Sequence, residues 1–161
     1  MVLDCANGAA AGVSPEVFSD AGAQVLVIGN EPDGTNINLG VGSTHLSALQ
    51  AKVLESGADV GIAHDGDADR CFVVDEQGRG LSGSTTTAIL AAGVLRSNPG
   101  ATVLHNLICS RAVPEVVREH GGVPVRTKVG HSFIKQEMQR TGAVFGGEHS
   151  AHYYFLKNFR A

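Results

Sequence analysis

The chain has 161 residues, 43 % of them hydrophobic and 5 % aromatic, with 21 glycines and no tryptophan. That is enough apolar material for a core, which excludes wholesale disorder, and it suits close-packed α/β layers better than an aromatic sandwich. The 12 basic against 16 acidic residues and the net charge of -4 argue against a general nucleic-acid or membrane-surface binder.

A short strand is expected at residues 2–3. Ser14-Pro15-Glu16 reads as a helix start, with Ser14 as the cap, and the helix is over by Gly22. Val25-Leu26-Val27-Ile28 reads as a buried strand, followed by a turn-rich polar loop from Asn30 to Gly42. Ser43 or Thr44 can cap a helix with the apolar stripe Leu46, Leu49 and Val53, closed by Gly57. Residues 60–63 lead as a strand into Asp65-Gly66-Asp67-Ala68-Asp69-Arg70, and Cys71-Phe72-Val73-Val74 forms the next strand, turning at Gln77-Gly78.

A second block begins near Leu81 with an alanine-rich helix over about residues 85–95, broken at Asn98-Pro99-Gly100. A strand at 101–104, a helix carrying Val113, Val116 and Val117, and a strand at 123–126 follow. A helix over about 132–140, with Ile134 and Met138 at i,i+4, leads to Ala143-Val144-Phe145, and residues 148–155 are the last readable segment. The pattern is βαβαβ-like twice over. It predicts an α/β fold of two small three-layer α/β/α units with mixed sheets, 1–80 and 81–161, hinged near residues 76–82.

Cys5, Cys71 and Cys109 are odd in number and far apart with no C-x-x-C, so neither a disulfide framework nor a zinc site is expected. No stretch approaches the ~20 apolar residues of a membrane span, and the N-terminus lacks a basic-then-apolar signal pattern. A soluble cytoplasmic protein with no nucleic-acid and no membrane partner is the expectation.

The sharpest chemical feature is Asp65-Gly66-Asp67-Ala68-Asp69-Arg70. If extended, it alternates three carboxylates with small residues, so all three point to one side. Such a set is repulsive unless a cation sits among its members, and hard oxygens select Mg²⁺ or Ca²⁺ over zinc or copper. A solvated acidic turn is the plain alternative. Asp65, Asp67, Asp69 and Glu76 also fit positions 1, 3, 5 and 12 of an EF-hand, but Arg70 stands where that loop needs glycine and the flanks read as strands. Arg70 reads instead as an anion ligand beside the metal.

The second feature is Gly146-Gly147-Glu148-His149-Ser150-Ala151-His152. In an extended segment Glu148, Ser150 and His152 share one face, a set suited to neighbouring sugar hydroxyls. Spacing alone leaves an ordinary edge strand with a wet polar side open. The third, Lys128-Val129-Gly130-His131-Ser132-Phe133-Ile134-Lys135, puts free N–H groups and His131 at a helix start where an anion could bind, a weak signal by itself. His45, His64, His105 and His120 have no partner pattern and read as structural.

Together, the acidic motif, the Gly130-His131 turn and the Glu148-to-His152 loop resemble the α-D-phosphohexomutases, in which a D-G-D-x-D-R loop holds Mg²⁺ and a G-E-x-S-x-H loop reads the sugar. The resemblance spans nearly the whole chain. It implies that Asp65, Asp67 and Asp69 bind Mg²⁺, that Arg70 lies near the transferring phosphate, that Glu148 and Ser150 bind sugar hydroxyls, and that His131 and His152 line the substrate cleft. It further implies a Mg²⁺-dependent isomerase that moves a phosphoryl group between O1 and O6 of a hexose phosphate through a phosphoserine.

That family has four domains, and 1–80 looks like the second and 81–161 like the third. The S-H-N-P-type serine loop of the first domain and the phosphate-gripping loop of the fourth do not occur in this sequence, so the chain alone is expected not to turn over. Pro32-Asp33-Gly34-Thr35-Asn36-Ile37-Asn38 is similar to phosphoglucosamine mutases, though Val41 and Leu81-Ser82-Gly83-Ser84 depart from that branch. His105-Asn106-Leu107-Ile108-Cys109-Ser110-Arg111 and the Glu148 loop are similar to phosphomannomutase/phosphoglucomutases, though Ile108 stands where some members carry a substrate-binding lysine. The second half carries more weight because it holds the sugar loop. A non-catalytic sugar-phosphate or Mg²⁺-binding module is the rival expectation.

Overall fold

Two four-stranded sheets, each with three parallel strands and one antiparallel strand, organise the chain. In the computed structural model, which describes residues 1–158, they belong to separate compact units, Met1–Leu81 and Ser82–Ala161.

The first sheet contains β1 (Val2–Asp4), β2 (Leu26–Ile28), β3 (Val60–His64) and β4 (Cys71–Asp75) in the order β2-β1-β3-β4. β1 runs parallel to β2 and β3, while β4 returns antiparallel along β3. Side chains alternate across a strand, so Val2 and Leu3 feed opposite faces. Val2 packs with Leu49, Val53, Ala63 and Val74 beneath α2 (Ser47–Ser56). Leu3 packs with Cys5, Ala10 and Phe18 on the side of α1 (Ser14–Asp20) and a 3₁₀ turn at Ala9–Gly12.

The second unit repeats this plan. Its strands β5 (Thr102–Asn106), β6 (Val123–Thr127), β7 (Phe145–Gly147) and β8 (Tyr153–Phe155) take the order β6-β5-β7-β8, again with only the last pair antiparallel. Val103 packs with Ala91, Leu95, Val117 and Phe145 on the face covered by α3 (Gly83–Ser97) and α4 (Ala112–Glu119). Leu104 packs with Ile134, Met138 and Tyr154 under α5 (His131–Thr141). Each unit is therefore an α/β/α sandwich with a mixed sheet.

Local expectations differ in several places, of which four concern helix starts and an edge strand. Ser14 lies inside α1, after an N-cap at Val13, and its Oγ sits 3.4 Å from His64 Nε2. Ser43 and Thr44 do not cap α2, which starts after Leu46 without a side-chain cap; the Ser43 N–H is committed instead to the His64 carbonyl at 2.9 Å. β2 is an edge strand, which leaves Leu26 46 % exposed rather than buried. α3 starts earlier than expected because Ser82 caps it, accepting from the Thr85 N–H at 3.1 Å.

The topology fixes where a ligand can bind. Chain entry through β1, then β2 on one side and β3 on the other, makes the gap between β1 and β3 a switch point, and crevices open there at the carboxyl ends of the strands. The same holds between β5 and β7. The residues following β3 and β7 are those of the acidic motif and the sugar-type motif. Among the described residues, no helix is long and apolar enough to cross a membrane.

Candidate functional site

Residues 65–70 are not extended. They form a turn between β3 and β4, with Ala68 in the left-handed region (φ 63°) and its N–H on the Asp65 carbonyl at 3.1 Å. The turn still gathers what alternation was expected to align: one carboxylate oxygen from each of Asp65, Asp67 and Asp69 lies within 4.8 Å of the others. Asp65 is 2 % exposed, whereas Asp67 and Asp69 face solvent.

Arg70 closes the turn on its own first residue. Its Nε donates to Asp65 Oδ2 at 2.6 Å, its backbone N–H to Asp65 Oδ1 at 3.1 Å, and Asp69 Oδ1 lies 3.6 Å from the same Nε. Burial pushes the Asp65 pKa up, but the N–H and guanidinium of Arg70 outweigh it and hold the carboxyl below its ordinary value. His64 steadies the far end, its Nδ1 3.1 Å from the Arg70 carbonyl.

The loop after β1 supports the turn from the side. The Ala9 N–H donates to the Gly66 carbonyl at 2.9 Å, and Gly8 packs so tightly on that carbonyl that a β-carbon there would collide with it. Asp4, fully buried at the end of β1, accepts from Ala6 N at 2.9 Å and Gly42 N at 2.7 Å. Burial raises its pKa against the pull of these donors and of His64.

Donor chemistry decides what the first turn can hold. Three carboxylates against one guanidinium leave a net negative cluster of hard oxygens, the set Mg²⁺ takes. Oxygens sharing one Mg²⁺ at about 2.1 Å stand no more than about 4.2 Å apart, so a cluster within 4.8 Å needs only a small contraction, available at the exposed Asp67 and Asp69. Arg70 does not use up Asp65, since each carboxylate oxygen can accept twice. The residues fit the ion.

Residues 148–152 likewise form a turn, between β7 and β8, so Glu148, Ser150 and His152 do not line one face of a strand. Ala151 takes φ 66° with its N–H on the Glu148 carbonyl at 3.1 Å. The turn nevertheless groups the three side chains: Ser150 Oγ is 2.8 Å from His152 Nδ1, which is 3.8 Å from Glu148 Oε2. Ser150 is exposed and His152 half-buried, but Glu148 is only 3 % exposed.

Three donors meet the Glu148 carboxylate. Oε1 accepts from Asn106 Nδ2 and from the Gly130 N–H, both at 3.0 Å, and Oε2 accepts from the Tyr154 hydroxyl at 2.8 Å. Burial raises its pKa, yet these bonds and nearby His152 bring it below the ordinary value. A carboxylate offers about four acceptor positions, so the donors among the described residues leave Glu148 one, on Oε2 beside His152. The Gly130 bond also brings the start of α5 to this turn, with His131 as the exposed first helical residue.

Sequence reasoning missed Asn106 and Tyr154, the buried partners of Glu148, and Ser84. Ser84 is 2 % exposed; its Oγ accepts from the Ser110 N–H at 2.9 Å and lies 2.9 Å from His149 Nδ1. The available signal was alternation in β8, which turns Tyr154 inward between Tyr153 and Phe155.

Comparison with known proteins matches both units. Residues 1–79 match the phosphoglucomutase/phosphomannomutase α/β/α domain II, and residues 82–161 match the α/β/α domain III. The chain is 54 % identical over 158 residues to the phosphoglucosamine mutase of Leifsonia xyli, covering 94 % of this chain and 34 % of that protein. It is 44 % identical over 160 residues to that of Solidesulfovibrio magneticus, covering 98 % and 36 %. A phosphoglucomutase/phosphomannomutase family protein from Burkholderia thailandensis superposes with a TM-score of 0.89 at 33 % identity, over 96 % of this chain and 34 % of that one. The chain thus spans about a third of the length of these relatives. With both halves matched in consecutive order, the chain belongs to the phosphoglucomutase/phosphomannomutase (α-D-phosphohexomutase) family, of which it carries domains II and III.

Proposed function

We propose that this chain is the metal-binding and sugar-reading part of a phosphohexomutase that moves a phosphoryl group between O1 and O6 of a hexose phosphate. The observation that carries this reading is the convergence of the Asp65, Asp67 and Asp69 carboxylates in one turn at a switch point. These three would hold Mg²⁺, which when bound offsets negative charge on the transferring phosphoryl group.

The chain's own residues do the rest by position and charge. Arg70 is tethered through Nε to Asp65, and its side chain is 39 % exposed. It presents a fixed cation to a phosphate, which avoids reorganisation during transfer. His131 opens an 11-residue helix, where unpaired N–H groups and the helix dipole favour an anion. The remaining acceptor position of Glu148, with Ser150 and His152 beside it, suits a polyhydroxylated ring that offers donors on one edge. The serine that carries the phosphoryl group lies outside these 161 residues in this reading, as does the fourth domain's phosphate grip.

Glucosamine phosphate is the first substrate to test, because the curated relatives at 44 to 54 % identity are phosphoglucosamine mutases. Mannose and glucose phosphates form the second reading, favoured by the Glu148-to-Phe155 loop. The experiment is a chimera in which this chain replaces the matching third of the Leifsonia xyli enzyme, assayed on all three sugar phosphates with and without Mg²⁺. Activity should require Mg²⁺, and Asp65→Ala with Asp69→Ala should lower kcat at least about a hundredfold, several kcal/mol of charge stabilisation being worth that much. Full Mg²⁺-dependent turnover in that double variant would remove the assignment.

A further inference from the structure

Asn106 is the last residue of β5 and is 1 % exposed. Its amide faces chemically opposite partners. Oδ1 accepts from the N–H groups of Ile108 at 3.2 Å and Cys109 at 3.1 Å, while Nδ2 donates to Glu148 Oε1 at 3.0 Å. A carboxylate only accepts and a backbone N–H only donates, so one orientation of the amide satisfies both sides. Glu148 Oε1 also receives the N–H of Gly130, the residue before α5. One buried side chain thus ties together the loop after β5, the turn after β7 and, through Glu148, the start of α5.

We propose that Asn106 is a positioning residue for sugar recognition, holding Glu148 and the Gly130-His131 turn in register with the loop at Ile108 and Cys109; this rests on the reading of Glu148 as a sugar-binding residue. Neither neighbour in chemistry can replace it. Aspartate would keep the acceptor toward Ile108 and Cys109 but set one carboxylate against another, while alanine would take the side-chain acceptor from two part-buried N–H groups, leaving Cys109 only the Asn106 carbonyl at 3.2 Å, and would weaken the hold on Glu148. Exposed groups on three loops, among them Ile108, His131 and Ser150, take their spacing from this one amide. Binding groups displaced by ~1 Å lose up to ~100-fold in rate.

The test uses the isotope-labelled full chain without ligand. In Asn106→Ala, NMR should show the amides of Ile108, Cys109 and Gly130 shifting together and the Glu148 carboxyl titrating at higher pH than in the wild type. First-unit amides such as Gly61 should stay in place. Tyr154→Phe, which removes the hydroxyl that donates to Glu148 Oε2, should raise the Glu148 titration and leave Ile108 and Cys109 unmoved. Should the alanine variant not fold, Asn106→Asp keeps the shape and should shift Gly130 and Glu148 while sparing Ile108 and Cys109.

An unshifted Gly130 amide and an unchanged Glu148 titration in the Asn106 variants would overturn the proposal. So would Tyr154→Phe displacing Ile108 and Cys109 as far as Asn106→Ala does. In the chimera, Asn106→Ala should raise KM for the hexose phosphate about tenfold with a smaller change in kcat, and an unchanged KM would overturn the functional half. A wild-type chimera without mutase activity would strike the mutase reading itself and leave the NMR result on positioning standing.

Discussion

In the first unit β3 is followed by Asp65, in the second β7 is followed by Glu148, and from these two buried carboxylates the chain makes the same turn. The fourth residue, Ala68 or Ala151, sits at φ 63° or 66° and returns its N–H to the first carbonyl at 3.1 Å. The second carbonyl, of Gly66 or His149, abuts a glycine, Gly8 or Gly83, where a β-carbon would collide. On this shared frame the chemistry diverges. Asp65 is answered by Arg70 from within its own turn, and Asp67 and Asp69 leave the cluster negative. Glu148 is answered by neutral donors from β5, β8 and the residue before α5, and its turn adds Ser150 and His152. In the proposed reading one frame takes a cation and the other hydroxyl groups, through the choice of side chain at the third, fifth and sixth positions.

The largest expected effect breaks this symmetry. Glu148→Ala strands Asn106 Nδ2 and the Gly130 N–H and takes an acceptor from the Tyr154 hydroxyl around a small cavity, and should destabilise the second unit by about 3 kcal/mol. Asp65→Ala frees a guanidinium that is already 39 % exposed and can rehydrate, so without divalent ions it should cost the first unit only about 1 kcal/mol. Unit-resolved hydrogen exchange separates the two. Equal losses would mean that the source of the partners, local or remote, does not matter.

The frame was legible in the sequence, and much of its wiring was not. Apolar runs punctuated by glycine and proline marked α1 to α5 and β1 to β6, because each element buries a face with its own period, whereas the run at 143–145 sat ahead of β7, β8 was merged into a longer segment, and the turn at Ala9–Gly12 went unread. Residues 65–70 stood out by residue type, whereas 148–152 stood out from an ordinary edge strand only through the family resemblance. Their conformation was misread as extended because alternation of large and small side chains, Gly66 and Ala68 among the aspartates, imitates a strand, while the left-handed φ at Ala68 and Ala151 has no glycine to announce it. The two serines near His64 sit there through long-range bonds that leave no local trace: Ser14 by its hydroxyl, fifty residues away in sequence, and Ser43 by its backbone N–H, twenty-one residues away, with its own hydroxyl unpaired among the described residues. Asn106 and Tyr154 escaped for the same reason, since their importance lies in Glu148, which folding brings to them.

Acid should sharpen the contrast more gently. His105, in the second unit, is buried and its pKa lies below the ordinary value, chiefly through that burial. The unfolded chain therefore binds its proton first, and stability falls as pH drops from about 6.5 toward the depressed folded value. Glu148 adds a second loss, since its contribution is present above its unfolded pKa of about 4.3 and disappears as pH falls through the lower folded value. In the first unit Asp65 acts in the same sense, but Asp4, raised by burial, acts in the opposite one, gaining stability as pH falls from its raised value toward about 3.9. Asp33, which is exposed, and Asp75 and Glu137, which are partly so, are also held low by neighbouring donors, with screening weakening the effect most at Asp33. Exchange measured at pH 7, 5.5 and 4 should show the second unit losing more stability than the first; the reverse order would mean that the buried His105 and Glu148 do not govern its acid response.

The smallest effect asks whether the two turns differ at the residue they share. Relieving a left-handed φ by Ala→Gly gains about 1 kcal/mol of strain and gives back about 0.5 to 1 kcal/mol of chain entropy. At Ala68, which is only partly buried, these terms nearly cancel, so Ala68→Gly should leave stability within about 0.5 kcal/mol of the wild type. Ala151 is fully buried, and its methyl contributes about 0.8 kcal/mol that glycine cannot supply. Ala151→Gly should therefore be destabilising by about that margin relative to Ala68→Gly, read from the denaturant midpoints of the two variants. If Ala151→Gly were as well tolerated as Ala68→Gly, the second turn would owe its shape to backbone geometry alone, and the packing of its inner side would have no part in holding Glu148 where its three donors meet.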